Sequence, residues 1–152
     1  MQEVSIYLET SIRGLNKTIG WYGYIVEYID SHGREHTREG CNYKMGVTPN
    51  MLILTAFCAA LDELKKGCRI RVYTDNAYLR ESCERRLIRW RENGWKTAHK
   101  EPIRNMALWQ QVSEKISVHV IRFGTEEDPD YKGKYRDQIG EEIERRKAEN
   151  AV

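Results

Sequence analysis

No stretch of this 152-residue sequence is apolar for long enough to cross a membrane as a helix, so no membrane partner is expected. The opening residues, MQEVSIYLET, alternate like a strand and lack the charged head and long apolar run of a secretory signal. The protein is therefore expected to be cytoplasmic. Cys41, Cys58, Cys68 and Cys83 lie far apart, with no C-x-x-C pair and no neighbouring histidine. That spacing argues against a zinc site and a disulfide framework, and predicts reduced, mostly buried thiols. Internal repeats and low-complexity linkers are absent too. With 40% hydrophobic and 32% charged residues, the length fits one domain over residues 1–152 with a substantial core.

The formal net charge is only +2, but it is unevenly spread. From Arg85 to Arg104, RRLIRWRENGWKTAHKEPIR holds seven Lys/Arg against two Glu, with Trp90 and Trp95 interleaved. From Glu126 onward the chain carries nine Asp/Glu against six Lys/Arg. A concentrated basic segment is the footprint of phosphate binding. Its bland rival is an ordinary solvated face.

Periodicity predicts strands over 4–9, 21–29 and 34–43, with a hairpin turn at Ser31-His32-Gly33. A helix follows, capped by Thr48 with Pro49 at its first position, and its apolar spacing runs through MLILTAFCAALDELKK to Gly67. Next come the strand RIRVYT, a helix over 76–90, the basic segment, a helix over 105–116, the strand VHVIRF, an acidic loop and a charged helix from about Tyr131. The order βββαβααβα predicts an α/β fold, a mixed five-stranded sheet flanked by helices. Asp75 sits at the tip of a strand, where α/β proteins keep their chemistry, although aspartate there can also cap a helix beginning at Asn76.

From Pro49 to Trp109 the chain resembles a type 1 ribonuclease H. WRENGWKTAHKEPIRNMALWQ is similar to that family's tryptophan-rich stretch, of the form W-x-x-x-G-W-K-T-A-x-K-x-P-(V/I)-x-N-x-x-L-W, and YTDNAYL is similar to its strand-aspartate-helix junction. The resemblance implies a ribonuclease H-like fold and hydrolysis of the RNA strand of an RNA/DNA hybrid, with Mg2+ or Mn2+ held by carboxylates. Two ions roughly 3.5–4 Å apart need clustered oxygen ligands, and magnesium prefers an octahedral oxygen shell.

Carried over residue by residue, the resemblance makes Glu9, Asp75 and Asp137 the catalytic and metal-binding residues. It also implies departures. Glu9 replaces the family's first aspartate and is longer by one methylene, where ligand placement matters to about half an ångström. Ile53 falls at the family's helix glutamate and cannot ligate a metal. Thr125 falls at the mobile histidine, in a loop crowded by Glu126, Glu127 and Asp128.

On the binding side, the family pattern implies nucleic-acid contacts at Thr48, Asn50, Trp90, Trp95, Lys96, Lys100, Arg104 and Asn105. Arg85, Arg86 and Arg89 extend the basic run. The wide minor groove of a hybrid displays 2′-hydroxyls that such residues can read without reading sequence. Trp90, Trp95 and Trp109 have a rival role in packing, since tryptophan is mostly buried. The terminal run EEIERRKAEN reads as a solvated helix face. Three functions are open to this sequence. One is a hybrid-binding protein with weak or lost cleavage. The second is an active endoribonuclease with a rearranged carboxylate site, aided by an acidic-loop carboxylate. The third is a protein-interaction module on the same fold.

Overall fold

Alternation in the first strand divides the molecule into two layers. Val4, Ile6 and Leu8 point into one apolar cluster and Tyr7 into another on the opposite face. A computed structural model describes residues 1–11, 18–131 and 133–150. Its sheet has five strands: β1 (Gln2–Thr10), β2 (Thr18–Ile29), β3 (Glu35–Val47), β4 (Cys68–Tyr73) and β5 (Val120–Phe123). Their spatial order is β3-β2-β1-β4-β5. The first three strands pair antiparallel, whereas β4 runs parallel to both β1 and β5.

On the Val4–Ile6–Leu8 face lie α1 (Pro49–Leu61) and α4 (Met106–Ile116), which bury Leu52, Ile53, Phe57, Trp109 and Val112. The opposite face carries α5 (Lys134–Glu149), whose Tyr135, Ile139 and Ile143 pack with Tyr7, Trp21, Ile25 and Tyr73. Spacing of four residues keeps those three side chains on one helix face. Two helical pieces, α2 (Ala77–Glu81) and α3 (Leu87–Glu92), flank a π-helical turn at Ser82–Arg86. The predicted element order holds, with this interrupted helix counted as one.

Several predicted boundaries shift. The first helix is capped by Thr48, whose hydroxyl accepts the Met51 N–H at 3.2 Å, but it ends at Leu61 instead of running to Gly67. Past that point the chain is pulled aside: Glu63 accepts the Tyr24 hydroxyl at 2.6 Å, and Asp62 pairs with Lys115 at 2.5 Å. Gly67 then passes so close to the next connection that a Cβ would meet the Val118 carbonyl at 2.6 Å. The hairpin turn is present, with Gly33 at φ 77° and the Asp30 carboxylate accepting the His32 and Arg34 N–H groups. β3 extends to Val47, β5 begins at Val120 and α5 at Lys134.

All four cysteines are free thiols; Cys58 and Cys68 are buried, and Cys41 and Cys83 are half-buried. Burial pushes Cys58 up to about 11 and Cys83 up to about 12, which keeps both protonated and unreactive at neutral pH. Among the described residues no helix is long and apolar enough to cross a membrane.

Candidate active site

Two neighbouring parallel strands end side by side at one edge of the molecule. Tyr7 of β1 pairs with Tyr73 of β4, and their rings stack with centroids 4.8 Å apart. Two residues further along each strand direction stand Glu9 and Asp75, which the period-two alternation puts on the face that α5 covers. The bland reading of Asp75 fails here. Asn76, not Asp75, caps α2, its side chain accepting the Leu79 N–H at 2.8 Å. The side chain of Asp75 is 51% exposed and that of Glu9 only 14%.

A side chain unmarked in the sequence stands between them. Arg136, in the first turn of α5, donates from Nε to Glu9 Oε1 at 2.5 Å and pairs through Nη2 with Asp75 Oδ2 at 3.2 Å. Its own side chain is 19% exposed and lies 5.9 Å from the Tyr131 ring centroid. Burial weakens its charge, but the Glu9 hydrogen bond and the charges of Glu9 and Asp75 outweigh burial and push its pKa up.

Tyr135 sets this arrangement. It packs 5.1 Å from Tyr7, ring centre to ring centre, and its hydroxyl donates to Glu27 at 2.5 Å. Successive helix residues turn by roughly 100°, so with Tyr135 facing inward, Arg136 is carried toward the strand ends. Asp137, one step further round, is exposed.

The other departures also take concrete form. Ile53 is 1% exposed and belongs to the core beneath α1. Asp128 of the acidic loop accepts the Thr125 N–H at 2.7 Å and faces Arg71 and Arg122 at 3.4 and 3.6 Å. Among the described residues, no three His, Cys, Asp or Glu side chains are grouped to hold a metal ion. A donor set of two carboxylates clasping a guanidinium does not fit a pair of divalent ions.

The basic segment forms a looped handle whose apolar side is anchored. Trp90 lies 5.3 Å from Trp109, and Trp90 and Trp95 both pack on the main core, as does buried Ile103. Backbone bonds from Trp95 N–H to the Trp90 carbonyl, and from Ile103 N–H to the Trp95 carbonyl, close the loop. Trp95, Lys100 and Asn105 adopt left-handed backbone angles, with φ of 65°, 62° and 60°. Such angles cost about 1 kcal/mol or more each and persist only where the surroundings fix them.

With the tryptophans packed inward, Lys96, Lys100 and Arg104 are exposed, as are Arg85 and Arg89. Arg86 turns back, donating to Ser82 Oγ at 3.1 Å. Asn50 is half-buried in the first turn of α1. The Asn105 amide donates to the Tyr78 hydroxyl, which also accepts Trp109 Nε1–H at 2.7 Å. Tyr78 thus ties the handle to α2. Nothing in its sequence context marks that role, and Arg136 was likewise hidden beside Asp137 in a charged helix.

Residues 1–125 match the family model described as RNase H. The chain is 36% identical over 120 residues to "Ribonuclease H" of Nitrosococcus oceani, covering 79% of this chain and 78% of that one. It is 35% identical over 124 residues to "Ribonuclease H" of Acetivibrio thermocellus, covering 81% of this chain and 80% of that protein. Among solved structures, LC9-RNase H1, "a type 1 RNase H with the type 2 active-site motif", superposes with a TM-score of 0.71 at 22% identity, covering 90% of this chain and 69% of that one. A foamy viral protease-reverse transcriptase in complex with RNA/DNA hybrid superposes with a TM-score of 0.67 at 15% identity, covering 93% of this chain and 20% of that one.

Proposed function

The chain belongs to the ribonuclease H family, and from that premise we propose that it binds RNA/DNA hybrid through its basic handle while cleaving the RNA strand weakly or not at all. The observation that carries this reading is the guanidinium of Arg136 between Glu9 and Asp75. Phosphodiester hydrolysis in this family draws on divalent metal held by clustered carboxylates, and here two of those carboxylates are engaged by an arginine. The buried Ile53 adds to the case, since the sequence comparison puts this apolar side chain where the family has its helix glutamate.

Binding has support of a different kind. Three exposed cations, Lys96, Lys100 and Arg104, stand on a loop whose strained backbone is fixed by Trp90, Trp95 and Ile103. A rigid platform that presents charge loses little entropy when it meets phosphates. The handle would then act as a charge-presenting surface for a duplex with a wide minor groove.

Fluorescence anisotropy of a labelled hybrid, in EDTA and across a potassium chloride series, tests this reading. Affinity is expected to fall linearly with salt on logarithmic axes, and each of Lys96→Ala, Lys100→Ala and Arg104→Ala to lower the slope by about 1. No binding at low salt, or binding unchanged by the triple substitution, would overturn it.

A further inference from the structure

The sheet ends at β5 on one side, and among the described residues no strand pairs with its outer edge. The Gly124 N–H donates to the Val72 carbonyl at 2.8 Å, which turns Gly124 and, two residues back, Arg122 toward β4. Successive residues of a strand point their N–H and C=O groups to opposite edges, so those of Ile121 and Phe123 face outward. Alongside runs a groove of about 510 Å³, lined by Leu87 and Ile88 of α3, Ile116 of α4, and Ile121 and Phe123, which also pack on the main core. Ile88 is 64% exposed there.

We propose that this edge and groove dock an extended segment of a partner protein, taken up as a further strand beside β5 and carrying an acidic residue between two apolar ones. Main-chain pairing satisfies the outward groups of Ile121 and Phe123, and every second side chain of the added strand enters the groove. The intervening side chains lie on the opposite face, beside Arg122, whose side chain is 62% exposed. That face is basic. Arg71 pairs with Arg122 across β4 and β5, Arg69 stands one pleat away opposite Val120, and Glu3 and Asp128 offset two of the three guanidiniums. Opposite charges on neighbouring strands attract and like charges repel, so the segment carries Asp or Glu next to Arg122. In the groove, Arg91 and Glu84 supply one charge of each sign, so apolar fit decides there. Alternating N–H and C=O groups match a peptide backbone, whereas phosphates offer no donor to the two carbonyls. The site uses none of Lys96, Lys100 and Arg104, and it stands apart from the hybrid-binding reading.

The probe is a fluorescein-labelled peptide of seven residues with blocked ends, apolar at its second, fourth and sixth positions, glutamate at its fifth and threonine elsewhere. Titrated with the full chain at low salt and followed by anisotropy, it is expected to bind saturably with a Kd of about 100 μM or tighter. Ile88→Glu, a change at an exposed position, should weaken binding about tenfold or more, and so should lysine in place of the peptide's glutamate. Arg122→Gln should narrow the gap between the glutamate and lysine peptides. Methylating the peptide's backbone nitrogens at odd positions, or at even ones, gives two further probes. One should lose binding and the other keep it, because only one edge of an added strand meets β5. No saturable binding, indifference to Ile88→Glu, or equal tolerance of both methylation patterns would overturn the proposal. So would single-stranded DNA or a second copy of the chain in the groove, seen as oligonucleotide binding or self-association that Ile88→Glu abolishes.

Discussion

At the scale of single residues, chemistry depends on which way a side chain turns, and sequence carries that information poorly. Glu9 and Asp75 were legible because strand alternation and a recognisable junction fix both their place and their face. Arg136 was not, since an arginine in KYRDQIGEE reads as one more charge on a solvated helix. The seating of α5 on the sheet, through Tyr135 on Tyr7 and through Ile139 and Ile143, directs it to the carboxylates. The sequence puts Ile53 where the family has its helix glutamate, and its burial decides what a glutamate there would do. Ile53→Glu places a carboxylate in the core and should destabilise the protein by about 4 kcal/mol or more, against about 1 kcal/mol for Ile53→Val, in urea unfolding.

A second residue contributes to the pH dependence of stability. His119 is partly buried, which disfavours its charged form, and its Nδ1 accepts the Cys68 N–H at 3.0 Å, which requires an unprotonated Nδ1. Its folded-state pKa lies below the ordinary 6.5, so the unfolded chain takes up the proton first as pH falls. Its contribution to stability is complete above 6.5 and is lost as pH falls from there through the lower folded value. Urea midpoints compared between pH 8 and 5 should shift less in His119→Gln than in the native chain.

Elements were more legible than side chains, and their boundaries less so than their existence. The helix at Pro49 announces its start through Thr48 and proline, but its end is set by Tyr24 and Lys115, which are distant in sequence. The predicted helix over 76–90 has a continuous helical pattern, and the π-helical turn at Ser82–Arg86 leaves no signature in it. Such turns often lie at functional sites, and this one precedes the handle. Thr48→Ala removes the cap of α1 and is expected to cost about 1 kcal/mol by thermal or chemical denaturation. Trp109→Phe removes the indole N–H that Tyr78 accepts, loosening the handle's tie to α2. It should weaken hybrid binding in anisotropy while leaving the salt slope unchanged, because no cation is lost.

For the whole molecule, the mixed sheet was readable from composition and period because two layers of helix must cover its apolar faces. Charge segregation was readable too, placing a basic handle apart from an acidic C-terminal region. What the sequence left open was the arginine that crosses from α5 to the two strand ends, on which the proposed weak or lost cleavage rests. Cleavage of the labelled RNA strand of a hybrid, in magnesium and then manganese, compares the native chain with Asp75→Asn. Native cleavage no faster than in Asp75→Asn, and about a thousandfold or more below a relative with the full carboxylate set, is the predicted result, a barrier about 4 kcal/mol higher. Robust metal-dependent cutting that Asp75→Asn abolishes would contradict it.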